Sequence, residues 1–245
     1  MPLSVLPPQM TLTQRLWGAI TRPRQVFDAL LRGPAWIGTL LCCTALSAAV
    51  WAALYSTEVG RLALVDQLER TALAMGQPVT NTSYTGLQSL SRAGSAYAVA
   101  RAVLLGPVLV VVLGIALHVG TRVGKGARRT SQPISLRQCL ALATHAGVIL
   151  TVRDIVAAPL SYVRETTASA TTVGLAFPLI DETSALARFL GSLDVFMLWW
   201  AALVGLGAAL VWGRAVRRTV AGAVCVFVVG AALVAAGLSL AGGGG

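Results

Sequence analysis

Long stretches without a single charged residue are what most constrain this chain. Residues 33–57 lie between Arg32 and Glu58, 102–121 between Arg101 and Arg122, 195–213 between Asp194 and Arg214, and 219–245 follow Arg218. A further run, 138–152, meets Arg153-Asp154 and resumes as 155–163. About 20 apolar residues cross a ~30 Å hydrocarbon core as a helix. Four runs reach that length, and the interrupted one does once the Arg153-Asp154 pair is accepted inside it. In lipid every backbone N–H and C=O must be satisfied internally, so such runs are helices. The expected fold is an all-α integral membrane protein. Its five transmembrane helices fall at about 34–56, 101–121, 138–163, 190–213 and 219–240, one domain over 33–240 with a glycine tail at 241–245. Composition agrees, since the chain is 56% apolar and 11% charged, where soluble domains carry about 25% charged residues. An ordinary soluble enzyme and a disordered chain are both excluded.

The net charge of +10 is distributed unevenly. The N-terminal segment has Arg15, Arg22, Arg24 and Arg32 against Asp28. The loop after the second span has Arg122, Lys125, Arg128, Arg129 and Arg137, and the turn after the fourth has Arg214, Arg217 and Arg218. The alternate loops are neutral or acidic. In the first, Glu58, Asp66 and Glu69 match Arg61, Arg70 and Arg92. In the second, Glu165, Asp181 and Glu182 outweigh Arg164 and Arg188. Basic residues are retained on the cytoplasmic side, which predicts a cytoplasmic N-terminus and an outside C-terminus. The charge thus reports topology and calls for anionic lipid at the inner basic loops, with no nucleic acid needed. MPLSVLPPQM has no basic stretch leading into an apolar one, so a cleavable signal peptide is not expected. All basic residues but Lys125 are arginine. With the high alanine content, this points to a GC-rich bacterial genome and an inner-membrane location.

Residues 1–32 read as a cytoplasmic interfacial segment. Two short amphipathic pieces over 11–32 meet at Pro23, with Leu12, Leu16 and Ile20 on one stripe and Phe27, Leu30 and Leu31 after the proline. Thr21 is a candidate cap for the second piece. The segment is either an elbow leading into span one or a partner surface built on Trp17, Pro23, Phe27, Pro34 and Trp36. A helix is expected to continue outward over 58–75. Residues 76–86 read as a polar loop containing the sequon Asn81-Thr82-Ser83. The uncharged stretch 166–180 is expected to dip into the interface, with Pro178 ending any helix.

Little reactive chemistry is visible. Cys42, Cys43, Cys139 and Cys225 sit in apolar runs and read as small buried residues. GTRVGKGARRT mimics a phosphate-binding loop, but Gly120 stands one residue too close to Gly124-Lys125, and Gly126 replaces the required hydroxyl. His118 and His145 lack carboxylate or cysteine neighbours at metal-ligand spacing, and His145 reads as a hydrogen bond across helices. No catalytic residue, metal or cofactor is expected. The informative residues are ionisable ones near the spans. Arg153 and Asp154 lie about 22 Å beyond residue 138 at 1.5 Å per residue. Asp194 opens the fourth run and Arg101 the second, so the four share one depth toward the outer leaflet. Unpaired charges there cost several kcal/mol. Asp194 is therefore expected to pair with Arg153 or Arg101, leaving Asp154 to the other. That set is either a registry device or a polar path. Ala201, Gly205 and Ala209 recur at four-residue spacing and suit close helix contact.

Two segments carry a family resemblance. In LWGAITRPRQVFDALLRGPAW, Pro23 is followed by Phe27, then by Pro34 and Trp36 at the opening of span one. In LARFLGSLDVFMLWWAALVGLG, Leu193-Asp194-Val195-Phe196 leads to Trp199, Trp200, Gly205 and Gly207. Over roughly residues 14–240 the chain resembles the Yip-domain family, five-span membrane proteins named for eukaryotic members that interact with Ypt/Rab GTPases, and it is most similar to bacterial-type members. The resemblance implies a non-enzymatic role, and it maps Asp194 onto the family's span-four aspartate. Vesicle trafficking through Rab partners is not carried over to a bacterial host. The expected function is a scaffold or accessory subunit of a membrane complex, a transporter complex among the candidates, with a membrane-protein partner and homo-oligomerisation left open. The alternative is a small transporter or channel using Arg101, Arg153, Asp154 and Asp194.

Overall fold

The computed structural model describes residues 10–74, 76–77, 80–123, 133–166, 171–176 and 185–242. These are almost wholly helical. The basic stretch 124–132, with Lys125, Arg128 and Arg129, lies outside the described residues, as do Pro178 and the last three glycines. Among the described residues, five helical stretches are long and apolar enough to cross a membrane: Ile37–Ser56, Gly94–Arg122, Leu136–Val163, Val195–Trp212 and Val216–Gly237. The chain is a multi-pass membrane protein by that measure.

Two short helices precede the first span, α1 (Leu12–Thr21) and α2 (Pro23–Arg32). α1 starts on a capping box. The Thr11 hydroxyl accepts from Gln14 N, and Gln14 returns a bond to Thr11 N. Pro23 opens α2, where its missing N–H costs nothing. Thr21 does not cap α2. Its hydroxyl donates back to Trp17 O, and Arg22 occupies the N-cap position with no side-chain cap bond. The apolar face of α2 turns into protein rather than lipid. Val26, Phe27 and Leu30 are buried against the span helices.

Span one is α3 (Ile37–Ser56). The chain bends at extended Thr57 into α4 (Glu58–Ala74), then α5 (Asn81–Arg92). The expected loop over 76–86 is therefore half helix, and the sequon occupies the first turn of α5. Tyr84, Leu87 and Leu90 give that segment a helical stripe which its polar content hid. α4 caps the distal end of the bundle. Leu64 joins Leu54, Tyr55, Ala98 and Ala158 in a small second core.

Span two is α6 (Gly94–Val123). It starts seven residues before Arg101, so Arg101 sits two turns inside a helix rather than at its start. Thirty residues span about 45 Å, more than the hydrocarbon core needs, which leaves Arg101 near the membrane edge. Span three is two helices end to end, α7 (Leu136–Ala146) and α8 (Val148–Val163), meeting at Gly147. A second capping box, Ser135 with Gln138, starts α7. Span four also differs from the expected 190–213. A short α9 (Ala185–Ser192) ends before Leu193, and α10 (Val195–Trp212) begins after extended Asp194. Asp194 caps a helix rather than interrupting one. Gly213 closes α10 in the left-handed conformation (φ 61°), which a side chain would resist. Span five is α11 (Val216–Gly242), so Arg217 and Arg218 lie in its first turn.

Spans three and four form the centre. Over the most apolar stretch of each helix, 56% of span three is buried in protein against 6% of span five. The main core joins α2, α7, α8 and α10 through Phe27, Cys139, Leu142, Ile149, Leu203 and Leu206. α3 and α6 pair with one another on one flank, and α11 leans on α10 at the other.

Candidate functional site

Asp194 is the most constrained charge in the bundle. It is 4% exposed. Its Oδ2 accepts from Arg153 Nε at 2.6 Å and from the Thr171 hydroxyl at 2.6 Å. Its Oδ1 accepts from Phe196 N at 2.8 Å and from Met197 N at 3.4 Å, the usual work of an aspartate N-cap. An ionised carboxylate offers about four lone-pair sites, and at least these four donors share them. The loop that brings Thr171 is itself pinned. Thr172 and Asp194 form an antiparallel bridge, with Val173 N donating to Leu193 O at 2.8 Å and Val195 N to Thr171 O at 3.2 Å. The 3-10 turn Val173–Ala176 then lays Gly174 against the backbone of Gly191. One carboxylate thus ties α8, the loop after it and the start of α10.

The other members of the expected cluster lie around it. Asp154 Oδ1 is 3.7 Å from Arg153 Nη1, a looser contact than the Arg153–Asp194 bond. Arg153 therefore serves both carboxylates. Arg101 has no carboxylate within 4 Å among the described residues, so the expected pairing of Arg101 with Asp154 does not form. The reason is register. With α6 starting at Gly94, Arg101 is exposed on its helix. All four residues nevertheless border one cavity of about 820 Å³. It runs down between α3, α6, α8 and α11 past Trp51, Ser47 and Thr151. Trp51 Nε1 is buried with no hydrogen-bond partner among the described residues.

The five residues expected to form a partner surface do not share one. Phe27 is fully buried and faces Gly207 of α10. Trp36 is half-buried against the main core, and Pro23 and Pro34 are half-buried. Trp17 is 69% exposed and is the member left facing outward. An i, i+4 stripe shows that a helix has an apolar face, but not whether that face meets lipid or protein.

Ala201, Gly205 and Ala209 are all buried. A Cβ on Gly205 would stand 2.7 Å from Val220 Cα and 3.0 Å from Ala223 Cβ, so α11 of the same chain is the close partner. His145 bridges helices as expected. The carbonyl of Ala141 can only accept, so His145 Nδ1 donates to it at 2.8 Å. In the neutral ring, Nε2 then accepts from the Thr39 hydroxyl at 3.1 Å. Gly120, the false phosphate-loop glycine, gives Trp212 its seat. The indole lies over it and donates to Leu117 O at 3.0 Å. Among the described residues no three His, Cys, Asp or Glu side chains are grouped to hold a metal ion.

Thr171 and Thr172 are the site residues that sequence reasoning missed. Neither spacing nor periodicity separates them from the other threonines of the loop. The signal that was available is Asp194 itself, an N-cap residue immediately before an apolar helix.

The family model for the Yip1 domain matches residues 17–239. No match was found among curated proteins or solved structures.

Proposed function

The chain belongs to the Yip1-domain family, and on that premise we propose that it is a non-enzymatic scaffold or accessory subunit of a membrane complex, a transporter complex among the candidates. The observation that carries this reading is the saturation of Asp194. Its carboxylate oxygens are taken up by donors from α8, the loop after it and the start of α10. Its geometry is that of a clamp. The charge distribution supports a cytoplasmic N-terminus and an outside C-terminus. The arginine-rich composition supports a bacterial inner membrane. The basic end of the bundle then faces the anionic leaflet. Mild-detergent purification of the tagged full chain from native membranes, followed by mass spectrometry, tests the role. A reproducible stoichiometric membrane-protein partner is expected. Recovery of the chain alone, as monomer or homo-oligomer, contradicts it.

A second reading, a small transporter or channel, draws on the cavity beside Arg101. It requires substitutions there, such as Arg101→Gln or Asp154→Asn, to abolish flux in reconstituted vesicles while the protein stays folded. Unchanged background flux in wild type and variants removes it.

A further inference from the structure

We propose that the groove between α6, α10 and α11 at the N-terminal end of the bundle is a site for one anionic phospholipid, its phosphate on Arg214 and Arg218 and its chains along α11. The groove holds about 840 Å³, within the roughly 300–1,000 Å³ of small-molecule sites. Its walls are apolar, with Leu113 on α6, Val204 on α10 and Phe227 on α11. Its floor is made of small residues. At Gly222 an added Cβ would meet nothing within 4 Å, so the space is open where chains would lie.

The polar groups gather at one end. Arg214 and Arg218 border the groove there, and neither has a carboxylate within 4 Å among the described residues. Arg214 is held 5.5 Å over the ring of Trp212, which fixes its guanidinium at the mouth. Two exposed arginines above an apolar trough match a headgroup phosphate above its acyl chains. Basic pockets between transmembrane helices bind anionic headgroups for this reason. A second copy of the chain fits poorly. In the same orientation it would offer Arg122, Arg137, Arg214, Arg217 and Arg218 at this depth, so arginine would meet arginine.

The site requires only that the chain be membrane-embedded, so it stands or falls apart from the accessory role. Trp200 and Trp212 line the groove and supply the probe. The full chain is reconstituted into vesicles of phosphatidylcholine or phosphatidylglycerol carrying brominated chains, and tryptophan quenching is followed against mole fraction. The expected result is a preference for phosphatidylglycerol of about fivefold or more, from charges near the surface. It should fall to near unity in R214Q/R218Q. Gly222→Leu, which fills open space, should weaken quenching by both lipids and leave the melting temperature unchanged. Equal quenching by the two lipids overturns the proposal. So does a preference that survives R214Q/R218Q, or a partner protein cross-linked at Gly222→Cys in place of lipid.

Discussion

At one end of α10, Asp194 accepts hydrogen bonds from Arg153, Thr171 and two backbone amides, and almost no water reaches it. At the other end, Arg214 and Arg218 stand at the mouth of an apolar groove with no carboxylate within 4 Å among the described residues. The same helix is thus closed internally at its first residue and left open just beyond its last. A buried charge that the protein satisfies itself holds helices in register. An exposed arginine without a carboxylate partner among the described residues is free to meet a group from outside the chain. The two ends should respond to mutation in opposite ways.

Asp194→Ala should produce the largest loss. It leaves Arg153 its looser contact with Asp154, removes the Thr171 bond and takes the cap from α10, a cost of about 3–5 kcal/mol for breaking a buried pair. A steep drop in detergent melting temperature and in folded yield would show it. Phe27→Ala comes next, at about 3 kcal/mol, because a fully buried ring between α2 and α10 is replaced by a cavity. An exposed partner-binding Phe27 would instead leave stability unchanged. Gly205→Leu should cost about 1–3 kcal/mol by forcing α11 away from α10, measured as earlier thermal unfolding and as protease access between the two helices. Thr39→Val removes one bond to His145 and should cost roughly 0.6–1.7 kcal/mol. Arg214→Gln should be the mildest, within about 0.5 kcal/mol on stability. A loss there comparable to that of Asp194→Ala would erase the contrast between the two ends.

Much of the architecture was legible because the bilayer imposes a length rule. Apolar runs bounded by charged residues located all five spans, and the depth argument limited the partner of Asp194 to Arg153 or Arg101. What failed to appear had physical causes. Hydropathy ran 190–213 together because Leu193 is apolar, although an aspartate ahead of a long apolar run is also an N-cap signature. The start of α6 at Gly94 was hidden by Ser95 and Tyr97, which a hydrophobic reading assigns to a loop. The register shift that follows separates Arg101 from Asp154. The burial of Phe27 could not be read from periodicity, since lipid and protein attract the same face. Thr171 reaches Asp194 across 23 residues, and no local pattern announces such a contact.

The most direct test of the clamp is a double-mutant cycle on Arg153 and Asp194, using the unfolding free energies of R153A, D194A and the double variant. The account predicts that the double variant loses far less than the two single losses added together, a coupling above about 1 kcal/mol. Single losses that add to within about 0.5 kcal/mol would contradict it. The 2.6 Å contact would then join two residues that do not hold each other in place.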